Sequence, residues 1–174
     1  MLLVNLFGPP GAGKSTTRAD VFRRLKTSGI NCEEIIEKAK WYTWEKRTMT
    51  LACQPYLFGK QLKDTEVLDG QVDVAVTDCP LMFMEYYGRK YGDYPDAFYD
   101  AVRQIAGKYN NMNYFINRVK PYNPKGRNQT EEESNQVGVE MKAMLKDLGI
   151  FYFEVDGNEQ AAQLIYDDIM KRLG

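Results

Sequence analysis

Apolar residues fall in short runs separated by stretches of helical period. Leu2-Leu3-Val4-Asn5-Leu6-Phe7 predicts a buried strand over about 2–7. Val21, Phe22 and Leu25 then mark one face of a helix over about 14–28. A second strand is predicted over about 30–36, followed by a helical stretch carrying Trp41 and Trp44 and a longer helix over about 53–68. Val72-Asp73-Val74-Ala75-Val76-Thr77 reads as the third strand, with helices over about 81–90 and 96–109 after it. The fourth strand, about 112–119, is mixed in polarity and runs into a polar loop from Lys120 to Gln129. A long helix over about 130–148 opens with Thr130 and Glu133, three apart, the capping-box spacing. A strand over about 150–155 and an amphipathic helix over about 158–172, with Ala161, Leu164, Ile165 and Ile169, close the pattern.

This alternation predicts a single α/β domain over 1–174, a parallel sheet between two helical layers. Right-handed crossovers would bring every strand C-terminus to one edge, where ligands bind in such sheets.

The junction of the first strand and first helix carries the most specific signal. Gly8-Pro9-Pro10-Gly11-Ala12-Gly13-Lys14-Ser15 matches G-x-x-x-x-G-K-[ST] at every fixed position, and Thr16 follows. Glycines let such a loop curl until its N–H groups point at a phosphate chain. The helix N-terminus adds its partial positive charge. Lys14 is placed to reach β/γ-phosphates and Ser15 to hold Mg²⁺.

Composition narrows the class. Hydrophobic residues make up 44% and charged residues 27%, with a net charge of −1, so no global positive field draws the chain to nucleic acid. No apolar stretch approaches the ~20 residues of a membrane span. Met1 leads straight into the first strand, and Cys32, Cys53 and Cys79 are isolated. The expectation is therefore a cytoplasmic protein without signal peptide, disulfide framework or zinc site. There is no histidine, so a general base must come from a carboxylate before a tyrosine or lysine.

Two carboxylates stand past predicted strand ends. Asp78 follows the third strand and suits a Mg²⁺ ligand or a base, with a helix cap before Pro80 as the alternative. Glu37 follows Ile35-Ile36 and suits a base or an acceptor contact, with a solvated helix-turn charge as the alternative. Arg118, Lys120, Lys125 and Arg127 crowd a Pro- and Gly-containing loop, predicted as a lid over about 118–129. Arg118 and Arg127 are its candidates to close over a transferring phosphoryl group. Gln54 and Gln61, seven apart, share a helix face and are candidates to bind the acceptor, with two solvent-exposed glutamines as the alternative. Tyr86, Tyr87, Tyr91, Tyr94, Phe98 and Tyr99 offer rings for stacking or for a core.

With these segments in hand, the chain resembles the small P-loop kinases. It is most similar to compact phage-encoded AAA_28-type proteins, related to ribosylnicotinamide kinase and to deoxynucleoside, nucleotide and polynucleotide kinases. In that group a Glu-aromatic-Ala-basic element follows strand two, matched here by Glu37-Lys38-Ala39-Lys40 with Lys38 in the aromatic's place. The resemblance implies a five-stranded sheet in the order 2-3-1-4-5, ATP as donor, Mg²⁺ as cofactor, and adenine beside Asp156 and Gly157. It also implies a place in the host cytoplasm if the protein is phage-encoded. Two departures stand out. Deoxynucleoside kinases carry an acidic-Arg-Ser element where this chain has Asp78-Cys79-Pro80, and mechanical ATPases carry Glu where it has Cys79.

The expectation is a Mg-ATP-dependent kinase acting on a nucleoside- or nucleotide-like acceptor, with Lys14, Asp78, Glu37, Arg118 and Arg127 as its catalytic candidates. Two alternatives stay open. One is a kinase acting on DNA, at a 5′-hydroxyl or a hydroxymethylated pyrimidine. The other is a non-catalytic nucleotide-binding module that regulates a partner.

Overall fold

The computed structural model describes residues 1–127 and 129–174; Asn128, inside the predicted lid, lies outside them. The strands are β1 (Leu2–Phe7), β2 (Cys32–Ile35), β3 (Val74–Thr77), β4 (Asn110–Asn117) and β5 (Phe153–Asp156). All pair in parallel, in the order β2-β3-β1-β4-β5. The helices are α1 (Lys14–Thr27), α2 (Ala39–Trp44), α3 (Thr48–Ala52), α4 (Gln54–Leu68), α5 (Phe83–Tyr91), α6 (Asp96–Ala106), α7 (Glu131–Asp147) and α8 (Ala161–Leu173). No helix among the described residues is long and apolar enough to cross a membrane.

β1 is buried along its whole length because it is the central strand with a helical layer on each face. Its period-2 alternation divides the core. Leu2, Val4 and Leu6 join Val21 and Leu25 of α1 and Ile165 and Ile169 of α8. Phe7, on the opposite face, joins Phe83 of α5, Val102 of α6 and Met141 of α7. Burying each such side chain contributes roughly 1.5–3 kcal/mol.

Some boundaries differ from those predicted. β4 spans 110–117 rather than 112–119, since pairing aligns Leu2 with Asn110 and Phe7 with Phe115. Asn111 supports that early start by donating to the carbonyls of Ala106 and Tyr109 at 2.8 and 2.9 Å. Arg118 therefore follows the strand instead of ending it. β5 begins at 153, leaving Ile150 and Tyr152 to pack beneath α7. The short α3, absent from the predicted pattern, turns the chain between α2 and α4. The capping box at α7 forms as its spacing predicts. The main-chain N–H of Thr130 donates to Glu133 at 2.7 Å, and that of Glu133 donates to the Thr130 hydroxyl at 3.2 Å.

Candidate active site

Parallel pairing brings Gly8, Glu37, Asp78, Arg118 and Gly157 to one edge, each just past a strand end. The glycine loop turns sharply there. Gly8 has φ +136°, and a Cβ on it would lie 2.5 Å from the carbonyl oxygen of Ile116. Only glycine fits that close approach to β4. No side chain caps α1, so its first N–H groups stay open toward the loop's hollow, as an anion site requires. Lys14 folds back over the loop, its Nζ donating to the carbonyls of Gly8 at 2.9 Å and Pro9 at 3.1 Å. Nζ also lies 5.6 Å from the Phe83 ring centre, a cation–π contact. Burial pushes its pKa below the usual lysine range, with Glu37 and Asp78 opposing the fall. From outside, α7 braces the loop: the Ser134 hydroxyl donates to the Pro10 carbonyl at 2.7 Å.

Asp78 is almost fully buried, at 1% exposure. Its Oδ1 accepts the main-chain N–H of Glu37 at 3.1 Å and pairs with Nε of Arg18 at 3.3 Å. Arg18 also pairs with Glu34. The guanidinium thus ties α1 to β2 and to the end of β3. Glu37 lies half-buried in the wall of a cavity that Asp78 does not line. Burial raises the Glu37 pKa, the Asp78 charge adds to the rise, and Lys14 opposes it. Cys79 is buried beside them, its thiol pushed well above the usual range by burial and the two carboxylates. A thiol held in that state is a poor nucleophile.

The loop after β4 crosses the glycine loop. A Cβ on Gly11 would lie 3.2 Å from Cδ2 of Tyr122, and one on Gly13 would lie 3.7 Å from Nζ of Lys120. Tyr122 makes two cation–π contacts, with the guanidinium carbons of Arg118 and Arg127 at 5.4 and 5.6 Å from its ring centre. Arg127 reaches the cavity. Arg118 does not; it is held by Glu131 at 2.6 Å and by Asn135.

The cavity is about 620 Å³ and runs from the glycine loop to α4. Pro10, Gly11, Gly13, Lys14, Ser15 and Thr16 line one end, and Gln54 and Gln61 the other. Both glutamines are buried on one face of α4. Nε2 of Gln61 donates to the Thr77 hydroxyl at 3.1 Å. Nε2 of Gln54 donates to the Leu51 carbonyl at 3.0 Å, while its buried Oε1 has no partner among the described residues. The aromatic cluster divides. Tyr87 and Tyr91, stacked at 6.1 Å, line the cavity, whereas Tyr86 and Tyr99 pack in the interior. Asp156 ends β5, exposed and outside the cavity lining. Gly157 is buried against Ala12, its N–H donating to Asn117 at 2.8 Å.

Three contributions escaped the sequence reading. Arg18 carries no motif signal; its spacing of one helical turn from Ser15 is the only hint. Tyr122 over Gly11 and Lys120 beside Gly13 belong to the loop singled out for its charge, but their contacts depend on where that loop folds.

A curled glycine loop at a helix N-terminus, below a parallel 2-3-1-4-5 sheet, defines the fold of the small P-loop kinases. A family model described as an AAA domain, AAA_28, matches residues 3–161, and the chain belongs to that family. Among solved structures, the fold is similar to a deoxyadenosine kinase from M. mycoides with bound dATP. The TM-score is 0.60 at 16% identity, covering 98% of this chain and 100% of that one. No curated protein matches the sequence.

Proposed function

We propose that the protein is a Mg²⁺-dependent kinase that moves the γ-phosphate of ATP to a hydroxyl of a nucleoside- or nucleotide-like acceptor. One observation carries this reading: a single cavity joins the glycine loop to a second polar end at Gln54 and Gln61, with Glu37 and Arg127 also in its wall. Hydrolysis needs only the first end; transfer needs both. The cavity's size suits bound organic ligands, which occupy roughly 300–1,000 Å³.

In this reading the open N–H groups of the loop and Lys14 take the β/γ-phosphates, and adenine lies toward Gly157 and Asp156. Glu37 accepts the proton of the acceptor hydroxyl. That oxygen bonds to the γ-phosphorus as the bridging P–O bond breaks, and ADP leaves. Glu37 suits the role better than Asp78, because it lines the cavity while Asp78 is paired with Arg18. Asp78 then positions Glu37 through its main-chain N–H. The 118–127 loop acts as the lid, with Arg127 on the transferring group and Arg118 holding the loop through Glu131. Gln54 and Gln61 meet the acceptor, and the unpartnered Oε1 of Gln54 awaits a donor.

The residues present suit Mg²⁺. The ion prefers oxygen ligands, keeps several waters and leans on substrate phosphates rather than an all-protein cage. Ser15 offers its hydroxyl in the cavity, and no cluster of three acidic or thiol ligands occurs among the described residues. Asp78, near enough to Lys14 for its charge to act there, is the other residue that would help hold the ion. Held there, the ion would supply charge neutralisation for the transferring phosphoryl group.

The test is transfer from labelled ATP to a panel of nucleosides, nucleotides, ribosylnicotinamide and DNA with and without hydroxymethylated bases. Label appearing on one acceptor class, and lost in Lys14→Ala, supports the kinase. ATP hydrolysis at one rate with every acceptor, or nucleotide binding with no turnover, overturns it.

A further inference from the structure

The segment between β2 and α4 puts aromatic rings into solvent beside the cavity. Trp41 is 63% exposed, Trp44 59% and Met49 85%. Trp41 and Trp44, three apart on α2, share a face. Neither lines the cavity, but Ala39, Lys40 and Thr43 of the same helix do. Trp44 also packs against Gly126, which sits in the cavity wall, so the tryptophan face begins at the cavity mouth.

The charge there is segregated. Residues 36–60 carry Lys38, Lys40, Lys46, Arg47 and Lys60 against Glu37 and Glu45, in a chain whose net charge is −1. Glu37 faces the cavity, and Glu45 is paired with Arg47 at 3.3 Å. Lys40, Lys46 and Lys60 pair with no carboxylate among the described residues. Flat exposed rings interleaved with free cations form the surface that single-stranded nucleic acid uses, its bases stacking while cations follow its phosphates. A lone mononucleotide inside the cavity would leave this outer face uncovered.

Resting on the kinase reading, we propose that the acceptor nucleotide is presented by a single-stranded nucleic-acid chain, which leaves the cavity across Trp44 and Trp41 and along Lys40, Lys46 and Arg47. A duplex fits poorly, since its paired bases offer no faces to the rings.

Binding is read by fluorescence anisotropy with a short labelled oligothymidylate, matched against its duplex and an oligouridylate. Wild type binds the single strand more tightly than the duplex. Affinity falls with salt, with a log–log slope of about −2 for three phosphate contacts. Trp41→Ala weakens single-strand binding about tenfold. Arg47→Ala makes the salt slope shallower by about 0.7. Phe151→Ala, exposed beyond the opposite sheet edge, changes neither. Both tryptophan-face variants keep wild-type ATP affinity. Equal binding of strand and duplex, or a Trp41→Ala variant that binds as wild type, overturns the proposal. Phosphorylation of free mononucleotide with no oligonucleotide binding also overturns it and leaves the kinase standing. Trp41-dependent strand binding without any transfer supports the platform and sinks the kinase reading instead. The oligouridylate arm decides between DNA and RNA.

Discussion

Oδ1 of Asp78 accepts the main-chain N–H of Glu37 at 3.1 Å, so the end of β3 holds the segment that follows β2. Arg18 pairs with the same oxygen at 3.3 Å and prevents it from standing as an isolated buried charge. A carboxylate paired this way serves geometry, and it leaves Glu37 as the carboxylate that lines the cavity.

Glu37→Gln should lower transfer by roughly 10²–10⁴ while leaving ATP affinity near wild type. In the wild type, activity should rise with pH through a pKa above the usual carboxylate range, because burial favours the protonated form. Stability should follow the opposite course. A folded pKa above the unfolded one gives stabilisation that is complete below the unfolded pKa. It is lost as pH rises through the folded pKa. Chemical denaturation across that window should show this fall in the wild type and lose it in Glu37→Gln.

Lys14→Ala should abolish transfer and keep the fold. Its two hydrogen bonds go to loop carbonyls, and burial already lowers its pKa, so its charge adds little stability. The melting temperature should move by no more than about 2–4 °C for each kcal/mol lost. A variant that retains near-normal transfer would remove the glycine loop from the donor role.

The two loop arginines should separate kinetically. Arg127→Ala, which empties a place in the cavity wall, should cut kcat by about 10³ or more if it meets the transferring group. Arg118→Ala breaks the contact with Glu131 and one cation–π contact with Tyr122, outside the cavity. It should cost less than about tenfold in kcat and loosen the 118–127 loop, seen as faster proteolysis there.

The two glutamines should also separate. Gln54→Leu removes an unpartnered buried oxygen and one donor to the carbonyl of half-buried Leu51, so it should raise the acceptor KM at a stability cost of about 1 kcal/mol or less. Gln61→Leu removes a fully buried hydrogen bond to the Thr77 hydroxyl, which keeps the Cys79 N–H as a second donor, and should cost about 1–1.5 kcal/mol besides its effect on KM. Equal effects of both variants on acceptor KM and melting would contradict this division.

Gly157→Ala tests the junction of β5 with the glycine loop. The added methyl would run into the Ala12 carbonyl and lie 3.0 Å from both the Asn117 carbonyl and Cγ2 of Ile116. Overpacking of this kind costs about 1–3 kcal/mol. The displaced loop should also bind ATP more weakly, measurable by calorimetry.

The glycine loop, the strand–helix alternation and the α7 capping box were legible because each is written in local spacing: a fixed motif, a period of 2 or 3.6, a Thr and a Glu three apart. The seven-residue interval by itself puts Gln54 and Gln61 on one helix face. β4 was misplaced by two residues because Asn110 and Asn111 look unlike strand residues, and only pairing with β1 recruits them. Glu37 and Asp78 could not be ranked from their neighbours along the chain. The ranking depends on Arg18, sixty residues from Asp78.

From its sequence alone, the chain determined that a curled glycine loop meets a helix N-terminus at the edge of a parallel sheet, since that outcome follows from backbone conformation and hydrophobic period. Tertiary structure decided which carboxylate lines the cavity, which arginine reaches it and where the tryptophans stand. Those are questions of burial and long-range contact, and no local spacing encodes them.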